Sequence, residues 1–195
     1  MAVDISGMMS ENVILIDSKY ADKVAFNLSV MFERGLERRI PKADLAHWLD
    51  CLALDGGIEP GENAILVIFL YDKSTPQLSN FNPGNFADDI DGKAFKDGIG
   101  EFAMEAYPIE SDVTDVCSFF ADTLTVLADS KDVKRIMIVP DTEAYGAELK
   151  GCMKKIKDKN ITLFAMEPQT GSGFSQEILG YSIMSALGIR GDEIK

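Results

Sequence analysis

The chain has 195 residues, 46% hydrophobic and 26% charged, which suits one α/β domain with a core of its own. A chain of this size buries roughly 70% of its unfolded surface and needs no disulfide or metal staple. The formal net charge of −13 opposes broad capture of nucleic acid, whose affinity depends on cationic contacts to phosphate.

The opening MAVDISGMMSENV has neither a basic n-region nor an apolar h-region, so no signal peptide is expected. The longest apolar run, residues 64–71, is too short to span a bilayer, and the expectation is a cytoplasmic protein without membrane contact. Cys51, Cys117 and Cys152 fall on apolar helical stretches without C-x-x-C pairing and read as reduced core residues.

In chain order, NVILID (12–17) is a short apolar run of the kind found in a parallel strand covered on both faces. A helix is predicted over 21–39, with Val24, Leu28, Met31, Phe32 and Gly35 on one stripe. A second helix is predicted with Pro41 near its first turn and Gly56 and Gly57 at its end, burying Leu45, Trp48, Leu49 and Leu52. NAILVIFLY (63–71) is the second strand, a polar loop covers 72–84, and a shorter helix follows over 85–98. EFAMEAYP (101–108) is the third strand, ended by Pro108. The next helix is capped near Ser111 or Asp112 and presents Val113, Val116, Cys117, Phe120, Leu124 and Leu127 on one face. RIMIVP (135–140) is strand four, followed by a helix over 145–157; ITLFAM (161–166) is strand five, and a closing helix spans 174–189.

Strands alternating with helices imply a mainly parallel sheet with helices on both faces and right-handed crossovers. The expected architecture is a single-domain, three-layer α/β/α sandwich with a five-stranded sheet, Rossmann-like in outline. In such a sheet ligands bind beyond the carboxyl ends of the strands, where the strand order reverses. Asp17, Asp72, Asp115, Asp141 and Glu143 all fall at that edge. With the five strands in the order 3-2-1-4-5, Asp17 and Asp141 meet at the switch. Clustered carboxylates without His or Cys suit a hard cation, Mg²⁺ or Mn²⁺, which can activate water for phosphodiester cleavage. Structural uses compete at each position. Asp141 suits an N-cap or Asx-turn, Asp115 complements a helix dipole, and Asp122 lies nearly opposite its helix's apolar stripe. His47, the lone histidine, shows no partner for a triad or a zinc site in the sequence and is assigned no chemistry. Basic clusters at Arg34, Arg38, Arg39 and Lys42, and at Lys150, Lys154, Lys155, Lys157 and Lys159, are diluted by Glu33, Glu37 and Asp158 as RNA tracks. QTGSGFSQE (169–177) fits neither phosphate-binding fingerprint and reads as a plain loop.

VILID, DVCSFFAD and IMIVPDTEAY, in this order of elements over residues 12–167, resemble NYN domains of the PIN-like nuclease group. The resemblance implies a divalent-metal-dependent ribonuclease acting on RNA, with Asp17, Asp115, Asp122 and Asp141 sharing Mg²⁺ or Mn²⁺ and Asp17 and Asp141 closest to the chemistry. Three departures stand against it. Asp115 and Asp122 are one residue further apart than in the family pattern, Pro140-Asp141-Thr142 replaces a Ser-Gly-Asp turn, and Tyr20 replaces an Asn. With the charge of −13, the altered turn favours the alternative, a PIN-like scaffold that has lost catalysis and binds a protein partner or a second copy. A receiver-like phosphoacceptor would need an acidic pair after the first strand, and LIDSKYAD supplies only Asp17.

Overall fold

The computed structural model describes residues 9–194. In chain order the elements are β1 (Asn12–Asp17), α1 (Ser18–Leu36), β2 (Ala43–Asp44), α2 (Leu45–Asp55), β3 (Ala64–Asp72), β4 (Phe81–Asn82), a one-turn π-helix (Phe86–Ile90), β5 (Lys93–Lys96), β6 (Glu101–Ile109), α3 (Val116–Asp129), β7 (Arg135–Val139), α4 (Thr142–Met153), β8 (Asn160–Ala165), β9 (Ser175–Ile178), α5 (Leu179–Ala186) and a 3-10 turn (Gly191–Glu193).

Every residue of β1 is buried, so the strand needs cover on both faces. Side chains alternate across it: Ile14 and Ile16 pack with Val24, Leu28, Trp48 and Ile183, from α1, α2 and α5. Val13 and Leu15 pack with Phe120, Leu124 and Leu149, from α3 and α4. The same period of two sends Val67 and Phe69 of β3 to the first layer and Ile68 and Leu70 to the second. A large, mostly parallel sheet thus lies between two helical layers.

That sheet has seven strands rather than five, in the order β5-β6-β3-β1-β7-β8-β9. Its inner five, β6-β3-β1-β7-β8, run in the 3-2-1-4-5 order, which the sequence leaves open and under which Asp17 and Asp141 share one edge. Each inner pair is parallel, and β5 is antiparallel to β6. Both added strands replace predicted helix. Where a helix was predicted over 85–98, one π turn ends before Gly92, whose φ of +72° suits glycine, and β5 follows. Phe95 of β5 then stacks on Phe102 of β6 with ring centroids 4.6 Å apart. The closing helix starts at Leu179 because residues 175–178 pair with β8. A further two-stranded pair, β2 with β4, occupies segments predicted as helix start and loop.

Several boundaries also move. Helix α1 begins at Ser18 because the Asp17 side chain accepts the Tyr20 N–H, and it stops where Glu37 turns left-handed with φ 52°. Met31, expected on its buried stripe, is 54% exposed. The cap of α3 is Asp115, not Ser111 or Asp112, which leaves Val113 outside the helix and 75% exposed. Pro108 lies within β6 rather than ending it. Strand β5 covers β6 only over residues 101–104, so beyond that stretch no ladder bond is lost to proline on the outer edge. The three cysteines are free and half-buried rather than core residues. Among the described residues no helix is long and apolar enough to cross a membrane.

Trp48 follows its apolar stripe inward. It is 0% exposed, its ring lies 5.0 Å from that of Phe81, and its Nε1–H donates to Ser182 Oγ over 3.1 Å. Trp48→Ala should therefore destabilise the fold by about 3–5 kcal/mol through the cavity it leaves. Denaturant unfolding measures this, and a variant as stable as the parent would refute the packing of α2 described here.

Candidate functional site

Strand order reverses at β1, with β3 and β6 on one side and β7 and β8 on the other. Beyond the carboxyl ends of β1 and β7 lies an open cleft of about 450 Å³, lined by Asp17, Lys19, Tyr20, Asp115, Cys117, Asp141 and Tyr145 among others. Three of the four predicted metal ligands, Asp17, Asp115 and Asp141, meet there. Asp122 does not line the cleft; it is an exposed residue about two turns further along α3.

Asp17 ends β1 and caps α1, and only 5% of it is exposed. Its Oδ1 accepts the Tyr20 N–H at 3.2 Å and its Oδ2 accepts the Tyr145 O–H at 2.7 Å. Burial pushes the Asp17 carboxyl above its ordinary range. The two hydrogen bonds pull against that shift, Asp141 adds to it and Lys19 opposes it. Burial and the Asp17 charge push the Tyr145 phenol well above the usual tyrosine range, so Tyr145 remains a neutral donor. Its position depends on a local break in α4, where Tyr145 takes φ −141° and ψ 24° inside an otherwise helical run. The ring is steadied against Phe120, with centroids 5.9 Å apart.

The other two acids are helix caps. Asp115 accepts the Ser118 N–H at 2.7 Å and the Ser118 hydroxyl at 3.0 Å, which hold its carboxyl below the ordinary range. Asp141 accepts the Ala144 N–H at 3.0 Å. Five of the six carboxylate oxygens in this set therefore already accept a hydrogen bond. Among the described residues no group of three or more His, Cys, Asp or Glu side chains is arranged to hold a metal ion. Asp72 is bound by the Ser74 N–H at 2.9 Å and the Ser74 hydroxyl at 2.6 Å, and Glu143 pairs with Lys23 at 3.5 Å.

The basic clusters are partly committed to structure. Arg38 grips Glu193 through Nε at 2.8 Å and Nη2 at 2.9 Å, fastening the C-terminal turn to the end of α1. Lys159 donates to the carbonyls of Ser130 at 2.6 Å and Val133 at 2.5 Å. A wider hollow of about 650 Å³ lies between α3 and α4, lined by Ala128, Cys152 and Ile156 and by charges of both signs, and involves no strand end.

Tyr145 is the residue that the sequence concealed. Its place four residues after Asp141 signals only a helix, and nothing local announces the kink that aims its hydroxyl at Asp17.

The family described as "Family of unknown function (DUF6621)" matches residues 6–194. No curated protein and no solved structure matches the chain.

The raised Asp17 carboxyl carries a pH signature. Below the unfolded value of about 4 both states hold the proton and the group has no effect. As pH rises above that value the unfolded chain ionises first, so this residue's contribution falls until the folded carboxyl has also ionised. Asp17→Asn keeps an acceptor for the Tyr20 N–H and removes this titration. Denaturation over a pH series should show the parent losing stability relative to Asp17→Asn as pH rises from about 4. Parallel curves would remove the buried-carboxylate account.

Proposed function

The chain belongs to this family, DUF6621, and from the geometry of its cleft we propose that it is a non-cleaving binding or assembly module on a PIN-like, NYN-type scaffold. The observation that carries this reading is the state of Asp17. A nuclease of this type needs that carboxylate turned to a cation, whereas here both oxygens accept protein donors and one is held by a buried phenol. Asp115 and Asp141 are likewise engaged as caps. In this conformation the donor set does not fit Mg²⁺ or Mn²⁺, which demand several unengaged oxygens in a defined shell. The charge of −13 weighs against RNA as the partner and by itself names no other.

One observation favours the second reading, a metal-dependent ribonuclease: Asp17, Asp115 and Asp141 line one cleft at the switch of the sheet. The two readings part on a single experiment. Labelled RNA is incubated with the protein and excess Mn²⁺ or Mg²⁺, and melting is followed with and without Mn²⁺. The module leaves RNA intact and its melting temperature unchanged. Cleavage that requires the cation and disappears in Asp17→Asn, or a clear upward melting shift lost in the same variant, overturns the proposal.

A further inference from the structure

Helix α2 carries His47 and Cys51 four residues apart, a spacing that stacks two side chains on one helical face. The pair sits at the seam where α2 packs on α5. His47 Nε2 lies 3.7 Å from Cys51 Sγ and 2.8 Å from Ser185 Oγ of α5. The surrounding frame is packed and hydrogen-bonded. Trp48, beside His47, is fully buried and hydrogen-bonded to Ser182 of α5, and Asp44 caps the helix by accepting the His47 N–H at 3.1 Å. The donors themselves face outward, with His47 and Ser185 exposed and Cys51 half-buried.

The N···S separation is informative. Zinc binds cysteine sulfur at about 2.3 Å and histidine nitrogen at roughly 2.0–2.1 Å, and a tetrahedral angle between them gives an edge of about 3.5 Å. The observed 3.7 Å is within a small side-chain adjustment of that edge. A soft thiolate beside an imidazole is also the donor set that selects zinc over magnesium or calcium.

We propose that His47 Nε2 and Cys51 Sγ form a two-residue chelate for a borderline-soft divalent cation, Zn²⁺ first, on the outward face of α2. On binding, the Cys51 thiol loses its proton to solvent. Sulfur and neutral imidazole each donate a lone pair, and no atom changes oxidation state. The imidazole proton resides on Nδ1, and the Ser185 hydroxyl gives up Nε2 and turns to a metal-bound water. Burial pushes the Cys51 thiol up, Ser185 opposes that shift and Asp55 and Asp50 add to it, so an arriving cation must compete with the thiol proton. Two protein donors leave two tetrahedral positions open for water or for donors from another molecule, unlike a closed structural zinc site. The site is independent of the cleft at the sheet edge and of the function proposed for it.

Cobalt tests this directly, because Co²⁺ takes zinc's geometry and a thiolate on it absorbs in the near ultraviolet. The intact protein is titrated with Co²⁺ and then with Zn²⁺. The expected result is a thiolate-to-cobalt band that grows with Co²⁺ and is erased by Zn²⁺. It should vanish in Cys51→Ser and in His47→Ala and persist in a Cys117→Ser, Cys152→Ser double variant. Circular dichroism of each variant verifies folding, which these outward positions should preserve. No band in the folded parent overturns the proposal. So does a band that survives Cys51→Ser, which assigns it to another cysteine, or one that survives His47→Ala, which removes the chelate.

Discussion

A carboxylate at the end of a fully covered central strand must find donors inside the protein, and Asp17 is that carboxylate. An unpaired charge there would face a desolvation cost of several kcal/mol. The fold meets the constraint twice. Helix α1 starts immediately after β1 and offers the Tyr20 N–H, and α4 breaks its own helical geometry to deliver the Tyr145 hydroxyl. Through that second bond β1 and α1 are tied to α4 across the switch of the sheet. The organisation of the cleft follows from it: the hydroxyl that satisfies Asp17 also engages the oxygen a cation would need.

Part of the acidity has a local structural use. Asp17, Asp44, Asp115 and Asp141 cap all but one of the five α-helices among the described residues. A cap of this kind typically contributes about 1 kcal/mol, and it places negative charge at the positive end of the helix. Elsewhere the surplus of acid is held under repulsion. Burial, the neighbouring Asp97 carboxylate and Asp44 push Asp50 on α2 up to about 7, while Asp97 is held low and accepts the Ile99 N–H at 2.9 Å. One carboxyl of that pair thus keeps its proton close to neutrality. A negative sequence total is therefore a poor guide to a ligand, since several of its acids serve as caps or share a proton.

Legibility followed the physics of each signal. Periodicity located the five inner strands and the Trp48 stripe: four strands are apolar runs, β6 alternates buried and outward residues, and α2 repeats its apolar residues at helical spacing. The edge rule for parallel sheets brought Asp17, Asp115 and Asp141 together correctly, because that rule depends on topology rather than on side-chain detail. Edge strands β5 and β9 were missed for the converse reason. KAFK and SQEI are short and mostly exposed, and their pairing comes from neighbours distant in sequence. Asp122 looked attractive only through family resemblance, and it lies about two turns further along α3 than the cleft reaches. His47 and Cys51 were visible at helical spacing throughout, but Ser185 enters only when α5 packs on α2.

The topology does not by itself decide whether such a cleft cleaves or binds. The parallel sheet, switch point and three aspartates are compatible with both proposed roles, which differ in which atoms the carboxylates would have to face. At Asp17 the deciding group is one phenol at 2.7 Å, and at 141 it is a turn that spends its acid on the Ala144 N–H. Both are local commitments that fold and composition do not reveal. A carboxylate already bonded to two buried donors gives up those bonds before it can serve a metal. The opposing energies, a few kcal/mol on each side, are therefore set by the residues around Asp17 rather than by Asp17 itself.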